Sequence, residues 1–245
     1  MIYGVFSDIH SNYAALRAIL DFFACKKVQG YIFCGDMVGY GPQPEECVKA
    51  LASLPGLKAV SGNHDLGVTG ALSLKWFNSY AEDAIEFTKA EISPVSLAFL
   101  RSLPEIRKEE DFTLVHGSPL KPAEEYLLTA EQYMSSVDLW TVSPCFIGHS
   151  HVPMYFTQKG KRFPAISFFE AGQKLVLMKD SRYMINPGSV GQSRDRDTSA
   201  SCGIYDSNEK SFELFRLKYD VRHVQALMKE KGLPQILMER LTLGW

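Results

Sequence analysis

Five short polar segments of this chain each follow directly after a run of apolar residues. They are Asp8-Ile9-His10, Gly35-Asp36, Gly62-Asn63-His64-Asp65, His116-Gly117 and Gly148-His149-Ser150-His151. A short apolar run that ends in polar residues is typical of a buried strand. In open α/β sheets, functional sites form where the strands end. The pattern therefore predicts a sheet whose strand ends bring all five segments to one place.

The order of the remaining apolar runs predicts a mixed α/β chain. Runs at 2–6, 31–34 and 57–60 alternate with helical patterns, as expected for a largely parallel sheet. Residues 77–92 and 94–103 favour two helices with no strand between them, whereas six short runs between 154 and 217 favour antiparallel, meander-like strands. Because we find neither a repeat nor a linker, we predict one domain over residues 1–245 with a helical insert at about 66–103.

Composition argues against several classes of protein. The formal net charge of −2 lacks the basic excess that a nucleic-acid binder usually carries. Five scattered cysteines without a C-x-x-C pair disfavour a disulfide framework or a thiolate zinc site. No stretch approaches the ~20 apolar residues of a membrane span, and the N-terminus lacks a signal-peptide pattern. We therefore expect a cytoplasmic protein with no membrane partner and no strong nucleic-acid signal, and we leave homo-oligomerisation open.

The polar segments supply a set of metal-ligand side chains. The candidates are two carboxylates, four imidazoles and one amide, namely Asp8, Asp36, His10, His116, His149, His151 and Asn63. Such nitrogen and oxygen donors suit Mn²⁺, Fe²⁺, Ni²⁺, Co²⁺ and Zn²⁺ better than Ca²⁺ or Mg²⁺. Seven ligands exceed the needs of one tetrahedral ion but suit two ions that share a bridge. Residues spaced i, i+2 on extended chain point the same way, so Asp8 with His10 and His149 with His151 are expected to face one cluster.

The ordered set D-x-H, G-D, G-N-H-[DE], H-G and G-H-[ST]-H resembles the calcineurin-like metallophosphoesterase superfamily. Residues 186–195 and the C-terminal tail resemble its small prokaryotic, YfcE-like branch. The resemblance implies an α/β (α+β) fold, a four-layer α/β/β/α sandwich of two mixed sheets flanked by helices. It also implies one metal ion held by Asp8, His10, Asp36 and His151, and a second held by Asp36, Asn63, His116 and His149. Gly39 stands where purple acid phosphatases of this superfamily carry a tyrosine ligand, so an iron-tyrosinate site is not expected.

The implied function is a dinuclear-metal-dependent phosphoesterase. It would hydrolyse small phosphomonoesters or phosphodiesters, nucleotide-like esters among them, by attack of a metal-bound hydroxide. Mn²⁺ is the first expectation for both ions, with Fe²⁺, Ni²⁺, Co²⁺ or Zn²⁺ as alternatives. His64 would act on the leaving group as general acid or charge stabiliser, and Asp65 would orient its imidazole. The alternatives are a catalytically silent metal-binding scaffold and a protein serine/threonine phosphatase.

The segment 186–194 is the candidate contact with the substrate. Gly188, Ser189 and Gly191 are small, which would let backbone amides approach a phosphate, and Arg194 could grip phosphate oxygens. Asn63 is also expected to contact substrate, and the helical insert is expected to roof the metals. The competing interpretation is that Arg194 only supports its loop.

Overall fold

The computed structural model describes residues 1–245. Its strands are β1 Ile2–Phe6, β2 Gly30–Phe33, β3 Leu57–Ala59, β4 Ile106–Lys108, β5 Thr113–Val115, β6 Cys145–Phe146, β7 Pro153–Lys159, β8 Ala165–Phe168, β9 Lys174–Val176, β10 Ser181–Pro187, β11 Ala200–Asp206 and β12 Ser211–Leu217. Its helices are α1 Tyr13–Cys25, α2 Pro44–Ala52, α3 Asn63–Thr69, α4 Ser79–Glu91, α5 Pro94–Ser102, α6 Ala130–Ser136, α7 Val221–Glu230 and α8 Gln235–Leu243. Short 3₁₀ turns lie at Leu74–Trp76 and Val137–Leu139.

The strands form two six-stranded mixed sheets. The first has the order β3-β2-β1-β11-β12-β9 and the second has the order β4-β5-β6-β10-β7-β8. Strands β1, β2 and β3 are parallel, as the alternating strands and helices predicted. The β7–β8 and β11–β12 hairpins are antiparallel, also as predicted. The later strands do not form one meander, however, because they are divided between the two sheets and β10 runs parallel to β6.

Alternating side chains pack the sheets into four layers. Val5 and Ile32 point into the apolar core between the sheets. The residues that follow them, Phe6 and Phe33, pack in a second core, which includes buried residues of α1 and α2. On the second sheet, Phe156 packs in a third core that includes residues of α6. This two-residue period is that of strands buried on both faces. The predicted four-layer sandwich is confirmed.

The segment 66–103 and the C-terminal helices pack together at one side of the first sheet. Ala81 and Ala84 of α4 share an apolar cluster with Val224 of α7 and Leu237 of α8. Leu100 of α5 belongs to the core beneath α1 and α2. The sequence indicated α4, α5 and α7 but missed α3, β4 and α8. No helix is both long and apolar enough to cross a membrane.

Candidate metal centre

The seven predicted ligands converge at the strand ends, as expected. Asp8 and His10 follow β1, Asp36 follows β2 and Asn63 begins α3 just after β3. His116 follows β5, and the pair His149 and His151 follows β6. Each of the seven exposes 2% or less of its surface. Buried charged and polar side chains in this number need partners, and here they are one another's neighbours.

The backbone that presents these ligands is not extended. Asp8, His10, Asp36, His149 and His151 all have left-handed φ values, between 49° and 66°. The argument from extended i, i+2 spacing was therefore wrong, although the side chains do converge. Left-handed non-glycine residues cost free energy and persist where the surrounding structure holds them, most often at functional sites. Here the amides of Asp8 and His10 donate to the carbonyls of Gly35 and Asp36, at 3.0 and 3.1 Å, which ties the first two loops together.

Two groups of ligand atoms lie side by side. In the first, Asp8 Oδ1 is 3.3 Å from His151 Nε2 and 4.0 Å from His10 Nε2. In the second, His116 Nε2 is 3.1 Å from His149 Nδ1 and 3.2 Å from Asn63 Oδ1. Each group is small enough to surround one ion.

Asp36 connects the two groups. Its Oδ2 lies 3.6 Å from His10 Nε2 of the first group and 3.3 Å from His116 Nε2 of the second. Its Oδ1 accepts the backbone amide of His64 at 2.9 Å, which fixes the carboxylate between them. Gly62 makes this possible, since a Cβ at that position would overlap the Asp36 carboxylate. One carboxylate therefore faces both sets of ligands.

The imidazole hydrogen bonds show that the centre suits metal ions. The Nδ1 atoms of His10, His116 and His151 lie 3.2, 2.7 and 2.5 Å from the carbonyls of Val38, Cys34 and Gln192. Because a carbonyl only accepts, each Nδ1 carries a hydrogen, and the Nε2 atom of each ring faces the centre. The Nε2 atoms of His10 and His151 are only 3.1 Å apart. Two facing lone pairs at this distance require a cation, so the donor set fits bound divalent metal.

Burial and charge shift the pKa values of these groups in different directions. Burial holds the pKa values of His10, His149 and His151 well below the usual range, which keeps the rings neutral as metal ligands must be. Burial acts against protonation of His116 too, but the charge of Asp36 outweighs it and raises the pKa of His116 to about 9. Burial also acts against ionisation of Asp36, whose pKa is nevertheless lowered by His116 and His64. Positive charge is thus favoured next to Asp36.

Comparison with known proteins gives the family of the chain. Residues 1–210 match the calcineurin-like phosphoesterase superfamily domain. The chain belongs to this superfamily. The family predicted from the motifs is confirmed, and the clustered histidines and aspartates are candidate ligands for the divalent metals that the superfamily generally binds.

Three relatives illustrate the similarity. The chain is 37% identical to a metallophosphoesterase from Sphaerobacter thermophilus, whose crystal structure matches 100% of this chain and 99% of its own with a TM-score of 0.90. It is 39% identical to an uncharacterized protein of Methanocaldococcus jannaschii over 98% of this chain and 97% of that protein. A shorter match, 30% identical over 47% of this chain and 42% of the relative, is to a symmetrical bis(5′-nucleosyl)-tetraphosphatase of Methylococcus capsulatus.

His64 lies beside this centre, and one of its ring nitrogens lies within 4.8 Å of ligand atoms of His10 and Asp36. Its ring centroid is 4.8 Å from that of His10, 4.4 Å from that of Tyr40 and 5.2 Å from that of Phe77. Burial lowers the pKa of His64 to about 4, and its Nδ1 is buried without a hydrogen-bond partner. That Nδ1 lies against Gly39, where an added Cβ would overlap it.

The expected contact between Asp65 and the His64 imidazole is absent from the structure. Both oxygens of Asp65 accept backbone amides instead. Oδ2 binds the amides of Gly62 and Asp36 at 2.9 and 3.0 Å, and Oδ1 binds those of Met37 and Val38 at 2.9 and 3.2 Å. With both oxygens engaged in this way, Asp65 fixes the loop that carries Asp36.

The segment 186–194 also differs from its prediction. Its amides do not face a phosphate site, because those of Val190 and Gly191 donate to the carbonyls of Ser7 and Asp8, each at 2.9 Å. Small residues here let the segment pack against the loop after β1. Asn186 has a similar role that the sequence did not indicate, since its side-chain amide donates to the Gly148 carbonyl at 2.6 Å and supports the loop after β6.

Arg194 does reach the centre. It is partly buried and lies beside Tyr40, Tyr126 and Asp8. Burial opposes its charge, but these neighbours raise the pKa of the guanidinium, so it remains a cation near the ligands. The sequence did not single out Tyr126, whose ring stacks on that of His149 with centroids 3.8 Å apart and planes at 27°. In the segment 66–103, the rings of Phe77 and Trp76 lie beside His64 and His149, respectively. Helices α4 and α5 pack instead against neighbouring helices.

Proposed function

We propose that this chain hydrolyses phosphoesters with the help of two divalent metal ions that share Asp36. The observation that carries the proposal is the position of Asp36 Oδ2, within 3.6 Å of imidazoles from both ligand groups. A shared carboxylate screens two close dications from one another, and two-metal sites of this kind catalyse phosphoryl transfer.

The two ions would be held by the two groups already described. Asp8, His10 and His151 would complete the first site, and Asn63, His116 and His149 would complete the second. When bound, such ions supply an activated water molecule at neutral pH and stabilise charge on the phosphoryl oxygens. We expect Mn²⁺ first, with Fe²⁺, Ni²⁺, Co²⁺ or Zn²⁺ as alternatives, because the donors are imidazole nitrogens and carboxylate oxygens.

The remaining residues of the centre bind the ester and its leaving group. His64 is positioned to donate a hydrogen bond to the leaving oxygen, which is supported by its ring nitrogen beside His10 and Asp36. Arg194 offers a guanidinium that can bind phosphate oxygens bidentately. Asn63 presents its amide at the same cluster and can contact the substrate as well as a metal. Asp65 acts by holding the Asp36 loop in place.

The substrate that we propose is a small phosphomonoester or phosphodiester, nucleotide-like esters included. A cation beside a buried ligand cluster suits a compact anionic ester. The partial match to a bis(5′-nucleosyl)-tetraphosphatase supports a nucleotide-like compound.

Metal removal and replacement test this function. We expect protein stripped by a chelator to hydrolyse p-nitrophenyl phosphate and bis(p-nitrophenyl) phosphate at background rates, and Mn²⁺ to restore hydrolysis of at least one. Asp36→Asn should lose metal and activity together, whereas Asp21→Asn, which alters an exposed carboxylate on α1, should behave as wild type. Full activity in protein shown by elemental analysis to hold no metal would contradict the proposal.

A further inference from the structure

Two half-exposed aromatic side chains lie beside the buried metal centre. Trp76 exposes 39% of its surface and Tyr126 exposes 40%. Both approach the same candidate ligand, His149, with ring centroids 6.3 and 3.8 Å away and planes inclined by 31° and 27°. Large aromatic surfaces left open to solvent next to a reactive centre are candidates for ligand contact.

Tyr126 is held firmly in spite of its exposure. Its carbonyl accepts a hydrogen bond of 2.9 Å from the side-chain amide of Gln132. The carbonyl oxygen of the same Gln132 side chain accepts the amides of Leu128 and Thr129 at the start of α6. The preceding residue, Glu125, accepts the hydroxyl of Ser118. A loop fixed in this way presents its ring without a large entropic cost on binding.

Trp76 lies in a different part of the sequence from Tyr126 and is held in place by packing. It ends the 3₁₀ turn Leu74–Trp76 and packs edge-on against Phe77, with ring centroids 5.1 Å apart. Phe77 in turn lies beside the ring of His64 and against α3, where a Cβ at Gly67 would be 3.1 Å from it. The insert and the loop after β5 thus each place one half-exposed aromatic ring near His149.

The neighbouring charge indicates what these rings bind. Arg194 lies beside Tyr126 and remains a cation, so an anion and a planar group are favoured within a short distance of one another. We propose that Trp76 and Tyr126 form a stacking subsite for the base of a nucleotide ester, an assignment that rests on the proposed phosphoesterase function. Base–aromatic stacking is worth ~1–3 kcal/mol per base, and it tolerates any base because each has a π face.

Calorimetry with ligands that resist hydrolysis tests the subsite. In 5′-deoxyadenosine 5′-phosphonate and 5-deoxyribose 5-phosphonate, phosphorus is bonded to carbon, so neither has the phosphorus–oxygen ester bond that the enzyme would cleave. The first carries adenine at C1 of the sugar, where the second carries a hydroxyl. Manganese-loaded wild type should bind the adenosine compound at least ~10-fold more tightly. Tyr126→Leu and Trp76→Leu should each remove most of that preference, whereas Tyr126→Phe should retain it. Phe163→Leu is the matched control, because it removes an exposed ring from the turn between β7 and β8.

Failure of the stacking subsite and failure of the proposed phosphoesterase function would give different results. Equal affinity of wild type for the two phosphonates would overturn the subsite, even if phosphoester hydrolysis is intact. A preference that survives both leucine substitutions would overturn it too. If the leucine variants lose manganese rather than base preference, the rings only shield His149 and the assignment is wrong. Absence of any metal-dependent hydrolysis by wild type would instead refute the proposed function.

Discussion

Replacing Asp65 with asparagine separates two roles for this residue. If Asp65 oriented His64, Asp65→Asn would lower kcat and leave stability and metal content nearly unchanged. The structure predicts the opposite, because the carboxylate accepts four backbone amides in the Asp36 loop and α3 and makes no bond with the imidazole. The substitution is nearly isosteric, so its effect measures these hydrogen bonds with little change in volume.

The size of the effect follows from those four bonds. Asparagine keeps one carbonyl oxygen, which can still accept the amides of Met37 and Val38 or those of Gly62 and Asp36. Its NH₂ group would face the other two amides, which would then be buried without an acceptor. A buried donor left without an acceptor costs about 1–3 kcal/mol, so two such amides cost roughly 2–6 kcal/mol.

Urea denaturation of metal-free protein, followed by circular dichroism, measures this loss without a contribution from bound ions. We expect Asp65→Asn to lower the free energy of unfolding by several kcal/mol and to reduce manganese content after loading. Asp83→Asn, which changes an exposed carboxylate on α4, is the control. The reasoning is refuted if Asp65→Asn has wild-type stability and metal content but a lower kcat.

Four further substitutions test other parts of the structure. His64→Ala should retain its metal yet lower kcat by ~10²–10⁴-fold, and Gly39→Ala should also lower kcat because its Cβ would overlap the His64 ring. Loss of metal in His64→Ala would make His64 a ligand. Glu45→Gln should lower stability by about 1 kcal/mol at pH 7, since Glu45 accepts the Ser93 amide that begins α5 at 3.0 Å. Burial opposes ionisation of Glu45, but Ser93 lowers its pKa from 4.5 to about 2, so the wild-type advantage in urea midpoint should be full above pH 4.5 and fade toward pH 2. Arg194→Ala should raise KM for a nucleotide ester more than for p-nitrophenyl phosphate, and equal effects on both would mean that Arg194 only supports its loop.

Much of the fold could be predicted because local patterns agree with the tertiary structure. The run 2–6 is β1 without change. The helices and strands that were not predicted have weak patterns in the sequence. Helix α3 has seven residues, one of them Gly67, and β4 has three residues, two of them basic. Helix α8 follows α7 after only four residues, which include Gly232 and Pro234, so the two are easily taken for one helix and a tail.

The identity of the ligand residues was predictable, whereas their geometry was not. Motif order places Asp8 and His149 at strand ends, but nothing local shows that both are left-handed. The role of Asp65 depends on where the loop after β2 runs, which is a tertiary property. Tyr126 is a single aromatic residue in an irregular loop, and only the folded chain reveals that it stacks on His149.

Electron paramagnetic resonance of the manganese-loaded protein tests the central claim most directly. If Asp36 bridges two ions, wild type should bind two Mn²⁺ per chain and give the multiline spectrum of an exchange-coupled pair. Asp36→Asn should lose this coupling, while Asp21→Asn should keep it. Binding of a single ion, or two ions with uncoupled spectra in wild type, would contradict the account.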